Sequence, residues 1–323
     1  MIGPDLITTS FTASSTADEV LHGIDLGGVR TIVTGGSSGI GVATARALAS
    51  AGAEVTLAVR NTDAGNAVAE EIARSTGAIR PRVIRLDLAN RKTIAEFLDA
   101  WNGPLHLLIN NAGLVTSDLE RTAEGWELQF ATNHLGHFGL AVGLHDALAS
   151  GAIERDGSRI VSISSTAHMR AGIDFDDLHF EHRDYHPQIA YAQSKTANSL
   201  FAVEASRRWA SDGIVANAVN PGGVATGLQR NFSPKQRESL DAAEAAGLFE
   251  YKTVEQGAAT SLVAATAPEF AHTGGHYLDD SREAYTVPNH AVLADHPHGV
   301  KEWALDPAIA ERLWQVSADL VRG

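Results

Sequence analysis

"RTIVTGGSSGIG", residues 30–41, carries the reading from which the fold follows. A strand-like run, 30–35, passes into glycines at 35, 39 and 41 that stand just before a helical pattern. Glycine lets the backbone turn tightly and approach a phosphate, and a helix start directs free N–H groups and positive partial charge toward a pyrophosphate. The spacing G-x-x-x-G-x-G is a variant of the dinucleotide fingerprint. A lone glycine-rich turn says little, but one that follows the first strand of a βαβ pattern says more.

The rest of the chain keeps that pattern. Strand-like runs recur as "EVTLAV" (54–59), "RVIRLD" (82–87), "LHLLIN" (105–110), "RIVSIS" (159–164) and "IVANAV" (214–219), with a weaker "GHYLDD" at 275–280. Between them the periodicity predicts helices near 40–51, 62–76, 90–101, 122–149, 189–210 and 253–267. Short apolar strands separated by helices indicate an α/β fold: a single doubly wound Rossmann domain around a parallel sheet of about seven strands. The expected division is an N-terminal arm (1–27) with a short helix at 16–22, a dinucleotide-binding and catalytic domain (28–284), and a C-terminal tail (285–323). The tail ends in a helix at 307–321, with Ile309, Leu313, Val316 and Leu320 on one stripe. Two stretches, 171–188 and 222–251, leave the C-terminal ends of strands, where open α/β sheets bind ligands, and are expected to wall a substrate pocket.

Among the 323 residues, 25 Lys and Arg against 39 Asp and Glu leave a net charge of −14, which argues against nucleic acid or an anionic membrane as partner. The absence of cysteine excludes disulfides and thiolate-ligated metals. The first 25 residues lack a signal-peptide pattern, and no apolar run reaches the roughly 18 residues of a membrane span, so a cytoplasmic location is expected.

Chemistry enters with "IAYAQSKTANSLF" (189–201). On a helix, Tyr191 and Lys195 share one face, so phenol and ammonium reach the same small volume. A free phenol near pKa ~10 is only about 0.1% ionised at neutral pH. A cation ~4 Å away at an effective dielectric of ~20 contributes about 4 kcal/mol, enough to lower that pKa by up to ~3 units. At the end of the second strand stand Arg60 and Asn61, where an NAD site would place a carboxylate for the ribose hydroxyl; arginine suits a 2′-phosphate. Asp87, closing the third strand, either meets an adenine amino group or caps the next helix.

Taken together, "TGGSSGIG", "NNAG" (110–113), Asn133 in "NHLGHF", "SISS" (162–165), "YAQSK" (191–195) and "NPGGVATG" (220–227) resemble, in order and spacing, the short-chain dehydrogenase/reductase family over about residues 28–280. "NHLGHF", "DFDDL" and "YAQSKTAN" further resemble the branch of retinol dehydrogenases, protochlorophyllide reductase-like enzymes and their bacterial relatives. The resemblance implies an NADP(H)-dependent oxidoreductase acting on a small carbonyl or alcohol substrate, and a homodimer or homotetramer formed through the helices at 122–149 and 189–210. Tyr191 would be the general acid or base, Lys195 would lower its pKa and hold the nicotinamide ribose, Ser165 would hold the substrate oxygen, with Ser164 the alternative, and Asn133 would anchor a water. Cofactor contacts would come from Gly35, Ser37, Ser38, Gly39, Ile40, Gly41, Arg60, Asn61, Asp87, Leu88, Asn111, Ala112, Gly113, Pro221, Gly222, Val224 and Thr226.

Val115, His168, Met169, Gln188, Leu228 and Phe249 are pocket candidates. His168 and the group His179, His182 and His186 are expected on the pocket rim or the surface. His134 with His137, and His296 with His298, have no zinc-site spacing, so no functional metal is expected. Two other readings use the same fold: a regulator that binds NADP without turnover, and an epimerase or dehydratase using the same Tyr and Lys. The intact Asn133, Ser165, Tyr191 and Lys195 set speaks against the first, and the different glycine spacing against the second.

Overall fold

The strands are β1 (Arg30–Thr34), β2 (Glu54–Val59), β3 (Arg82–Arg85), β4 (Leu107–Asn110), β5 (Ser158–Ile163), β6 (Ile214–Asn220), β7 (Tyr277–Asp279) and β8 (Arg282–Glu283). They form one sheet in the order β3-β2-β1-β4-β5-β6-β7-β8. All neighbours are parallel except β7 and β8, so the expected seven-stranded sheet gains a short antiparallel edge. The computed structural model describes residues 6–226, 238 and 251–323. Leu228, Phe249 and most of the 222–251 segment lie outside the described residues.

The chief helices are α1 (Gly39–Ser50), α2 (Thr62–Thr76), α3 (Arg91–Ala100), α4 (Gly136–Gly143), α5 (His145–Arg155), α6 (Pro187–Trp209), α7 (Val254–Thr266) and α8 (Pro307–Arg322). Strand alternation explains why they cover both faces. Val33, Leu57, Leu107, Ile109, Val161 and Val219 join α1 and α7 residues such as Leu48 and Leu262 in one cluster. Their strand neighbours Ile32, Ala58, Leu108, Ile160 and Ala218 join Phe97, Phe138, Leu148 and Phe201 in another. Adjacent residues thus point to opposite faces, and each face is sealed by helices.

The helix expected across 122–149 is broken. Gly125 takes φ +87, a conformation that ends any helix, and the fully buried Glu127 restarts one by accepting from the N–H groups of Gln129 and Phe130. A π-helical turn, Ala131–Leu135, then leads into α4. Within it the carbonyl of Asn133 is bonded to Nδ1 of His137 at 2.9 Å. Such turns recur near functional sites.

Both chain ends pack onto the domain. The arm starts its short helix at Thr16 with a capping box to Glu19, and Ile7 exchanges bonds with Glu283 beside β8. In the tail, β9 (Tyr285–Val287) pairs in parallel with β10 (Gly299–Lys301). Helix α8 lies over α6 and α4, with Trp314 edge-on to Phe138 and Trp209 at 4.9 and 5.2 Å and parallel to Phe201. Ser317 reaches His134 at 2.9 Å. The helix surfaces expected for subunit contact are therefore covered in part by the chain's own tail. Among the described residues, no helix is long and apolar enough to cross a membrane.

Candidate active site

At the C-terminal end of β1, the chain enters a turn that only glycine fits. Gly35 and Gly39 take φ +67 and +55, and a Cβ on Gly41 would lie 2.6 Å from the Gly35 carbonyl and from the Asn111 amide. Gly41→Ala is expected to lose about 1–3 kcal/mol of stability by overpacking, read as a lower urea midpoint at unchanged slope. An unaltered midpoint would show that the turn gives way freely. The next helix, α1, opens at Ser38 with no side-chain cap, which leaves its first N–H groups to a ligand.

Thr34 ties this turn to the next. Its hydroxyl oxygen accepts from the N–H groups of Asn111 and Ala112, each at 2.9 Å, and meets His137 Nε2 at 2.8 Å. Because Nδ1 of His137 faces a carbonyl, that nitrogen carries the proton and Thr34 donates to Nε2. Burial pushes His137 down to about 4 and His134 to about 3, so both are neutral hydrogen-bonding groups. Only the fold could reveal these partnerships, since they span Thr34, Asn111 and His137.

A cavity of about 690 Å³ runs from this turn past the ends of β2, β4, β5 and β6. Every expected cofactor residue lines it: Gly35, Ser37 to Gly41, Arg60, Asn61, Asp87, Leu88, Asn111 to Gly113, Pro221, Gly222, Val224 and Thr226. So do Ser165, Tyr191 and Lys195. At one end Asn61 caps α2 and Asp87 accepts from Ala89 N–H, while Val59 is buried and Arg60 is exposed. Glycine turn, open helix start and adjacent cation together fit a phosphate-bearing dinucleotide.

At the other end, α6 holds Tyr191 and Lys195 one turn apart. Proline at its first position and the absence of glycine favour this helix, as the sequence predicts. Lys195 is 3% exposed; its ammonium donates to the Ile163 carbonyl at 2.9 Å and lies 5.5 Å from the centre of the Tyr191 ring. Burial lowers its pKa to about 8. Burial likewise pushes the Tyr191 phenol up to about 12, offset in part by the Ser165 hydroxyl and then by the charge of Arg170. The lowering expected from Lys195 is thus outweighed here by desolvation, and the cation whose field favours the phenolate is Arg170.

Ser165 follows the end of β5 by two residues and caps the turn Thr166–Arg170, its hydroxyl accepting from Ala167 N–H at 3.1 Å. Ser164 instead donates to the Lys195 carbonyl at 2.8 Å and accepts from Ser199 at 3.0 Å. Asn133 does not line the cavity. It is fully buried, accepts from Leu114 N–H at 2.9 Å, and donates to the Leu114 carbonyl and the Ser194 hydroxyl.

Three residues and one segment depart from expectation. His168 is fully buried rather than at the rim: Nε2 accepts from Lys301 N–H at 3.2 Å, so Nδ1 carries the proton and donates to the Ser165 carbonyl at 2.7 Å. Met169 is buried and also absent from the lining. From 171–188 only Gln188 lines the cavity; the rest folds on itself through Asp177, which accepts three backbone N–H groups, and through Arg183 on Asp174. Accordingly His179 is half-buried while His182 and His186 are exposed. Arg170, which the sequence reading passed over, joins the lining beside Val115 and Gln188.

Among the described residues, Asp279, Asp280 and His298 alone bring three ligand-type groups within 4.8 Å. They form an ion network: Lys252 holds Asp280 at 2.5 Å, and His298 holds Asp279 at 2.9 Å.

The comparisons agree with this architecture. The sequence model of the family described as short chain dehydrogenase matches residues 30–237. A Streptomyces antibioticus protein named "Probable oxidoreductase" is 45% identical over 304 residues, 93% of this chain and 99% of its own. Human retinol dehydrogenase 11 is 37% identical over 303 residues, 92% of this chain and 87% of its own. A crystal structure of a Mycobacterium paratuberculosis protein of uncharacterised function superposes with a TM-score of 0.70 at 30% identity, covering 97% of this chain and 98% of that one.

Proposed function

The chain belongs to the short chain dehydrogenase family, a family of nicotinamide-dependent oxidoreductases, and from that premise we propose that it is an NADP(H)-dependent carbonyl reductase or alcohol dehydrogenase. The observation that carries this reading is that Ser165, Tyr191 and Lys195 open onto the same cavity as the glycine turn and Arg60. A bound nicotinamide supplies or accepts the hydride. Tyr191, protonated at neutral pH with its pKa near 12, delivers its proton to the carbonyl oxygen as the carbon is reduced. Ser165 holds that oxygen, and Lys195 supplies a buried donor toward the ribose. The two-way clamp on Leu114 supports a positioning role for Asn133, steadying the 113–115 turn. A panel of aldehydes, aromatic ketones, steroids and retinoids, followed by NADPH absorbance, tests the activity. Failure of every carbonyl and alcohol in both directions, with NADPH bound, would turn the reading toward a non-catalytic nucleotide binder.

Cofactor choice follows from β2. The cavity lining at the end of β2 offers no carboxylate for the ribose hydroxyl of NAD, whereas Arg60 would form charge-assisted bonds to a 2′-phosphate. Such a bond is worth about 1.5–3 kcal/mol, roughly a 10- to 150-fold preference for NADP(H). The variant Arg60→Asp should shift kcat/KM toward NAD(H) through attraction and repulsion together. Equal use of both cofactors by the wild type would remove the basis for this choice.

A further inference from the structure

The described lining of the cavity carries three cations, Arg60, Arg170 and Lys195, against one carboxylate, Asp87, in a chain whose net charge is −14. Two of the three have work in the reading above: Arg60 stands beside Asn61 at the end of β2, and Lys195 donates to the Ile163 carbonyl at the ribose end of the tyrosine. Arg170 has neither task. It closes the short turn that Ser165 begins, and it lies near enough to Tyr191 for each charge to act on the other. Among the described residues, no carboxylate pairs with it.

A guanidinium left unpaired on the wall that holds Ser165 and Tyr191 is placed to receive an anion carried by whatever those residues act upon. Its planar fork matches the two oxygens of a carboxylate, and a local positive wall draws such an anion in against the field of an acidic protein. We propose that Arg170 is the binding site for a carboxylate on the substrate, so that the compound reduced is an oxo acid whose carbonyl oxygen meets Ser165 and Tyr191. This specifies the substrate class of the reductase proposed above and rests on that reading. Arg170 touches the substrate away from the reacting carbon, and the ratio between an acid and its neutral analogue isolates that contact from the effect of its charge on Tyr191.

The test has two arms. In the first, ketones and aldehydes with two to about five carbons between carbonyl and carboxylate are compared with their methyl esters by NADPH oxidation; one charge-assisted contact predicts roughly a 10- to 150-fold higher kcat/KM for the acids. In Arg170→Met that ratio falls toward unity, and Arg170→Lys keeps part of it. In the second arm, 4-phenylbutanoate and 4-phenylbutanamide, which cannot be reduced, are titrated calorimetrically into NADPH-saturated enzyme, with the same preference for the acid in the wild type and its loss in Arg170→Met. Equal binding of acid and amide, no detectable binding of the acid, or an undiminished preference in Arg170→Met overturns the proposal, even if esters are reduced rapidly. Absence of all turnover with the acid preference intact would instead count against the reductase reading and leave the carboxylate site standing.

Discussion

Tyr191→Phe lowers turnover by about 10²–10⁴-fold, the usual contribution of a positioned general acid, while NADPH affinity stays near the wild-type value. The substitution deletes one proton and little surface. The ring still packs beside Lys195, whose ammonium is held by the Ile163 carbonyl and not by the phenol. Gly35, Arg60 and Asn111, the proposed cofactor residues, lie elsewhere along the cavity. Steady-state rates on any accepted substrate, with fluorescence titration of NADPH, check both halves. A variant that keeps a tenth of the rate would strip Tyr191 of the proton-transfer role.

Ser165→Ala lowers turnover by about 10²–10³-fold, the scale for losing one preorganised donor to a developing oxyanion. Ser164→Ala acts differently because its hydroxyl is bound between the Lys195 carbonyl and Ser199 inside the protein. Its loss leaves buried groups short of partners, a stability cost of about 1–3 kcal/mol. Parallel measurement of kcat and thermal midpoint separates the two serines. A silent Ser165→Ala beside a catalytically crippled Ser164→Ala would move the oxyanion contact by one residue.

Where local chemistry set the structure, the sequence could be read closely. Helix α2 spans the anticipated 62–76 because Asn61 caps its start and Gly77, at φ +71, ends it. The same holds for β2, whose apolar run matches the strand residue for residue. The glycine turn was legible because its spacing has one backbone purpose. Periodicity failed across 122–149, where Gly125 and the buried Glu127 divide a stretch whose apolar residues look continuous. Histidine was hardest to place, since the fold decides whether a ring is exposed, as His182 is, or sealed between a strand and a carbonyl, as His168 is. Arg170 escaped notice for a related reason: nothing in "TAHMRAG" (166–172) says that its fifth residue faces the tyrosine.

The ring of His168 joins the Lys301 amide to the Ser165 carbonyl, and Trp303 adds a bond to the His168 carbonyl at 3.3 Å. In mechanical terms the β9–β10 pair is a brace. A push on it reaches the backbone of Ser165 through one rigid aromatic ring. The turn that carries Ser165 is thus tied to a strand pair about 130 residues downstream, and loosening that brace would blur the position of a hydroxyl that no change nearby had touched.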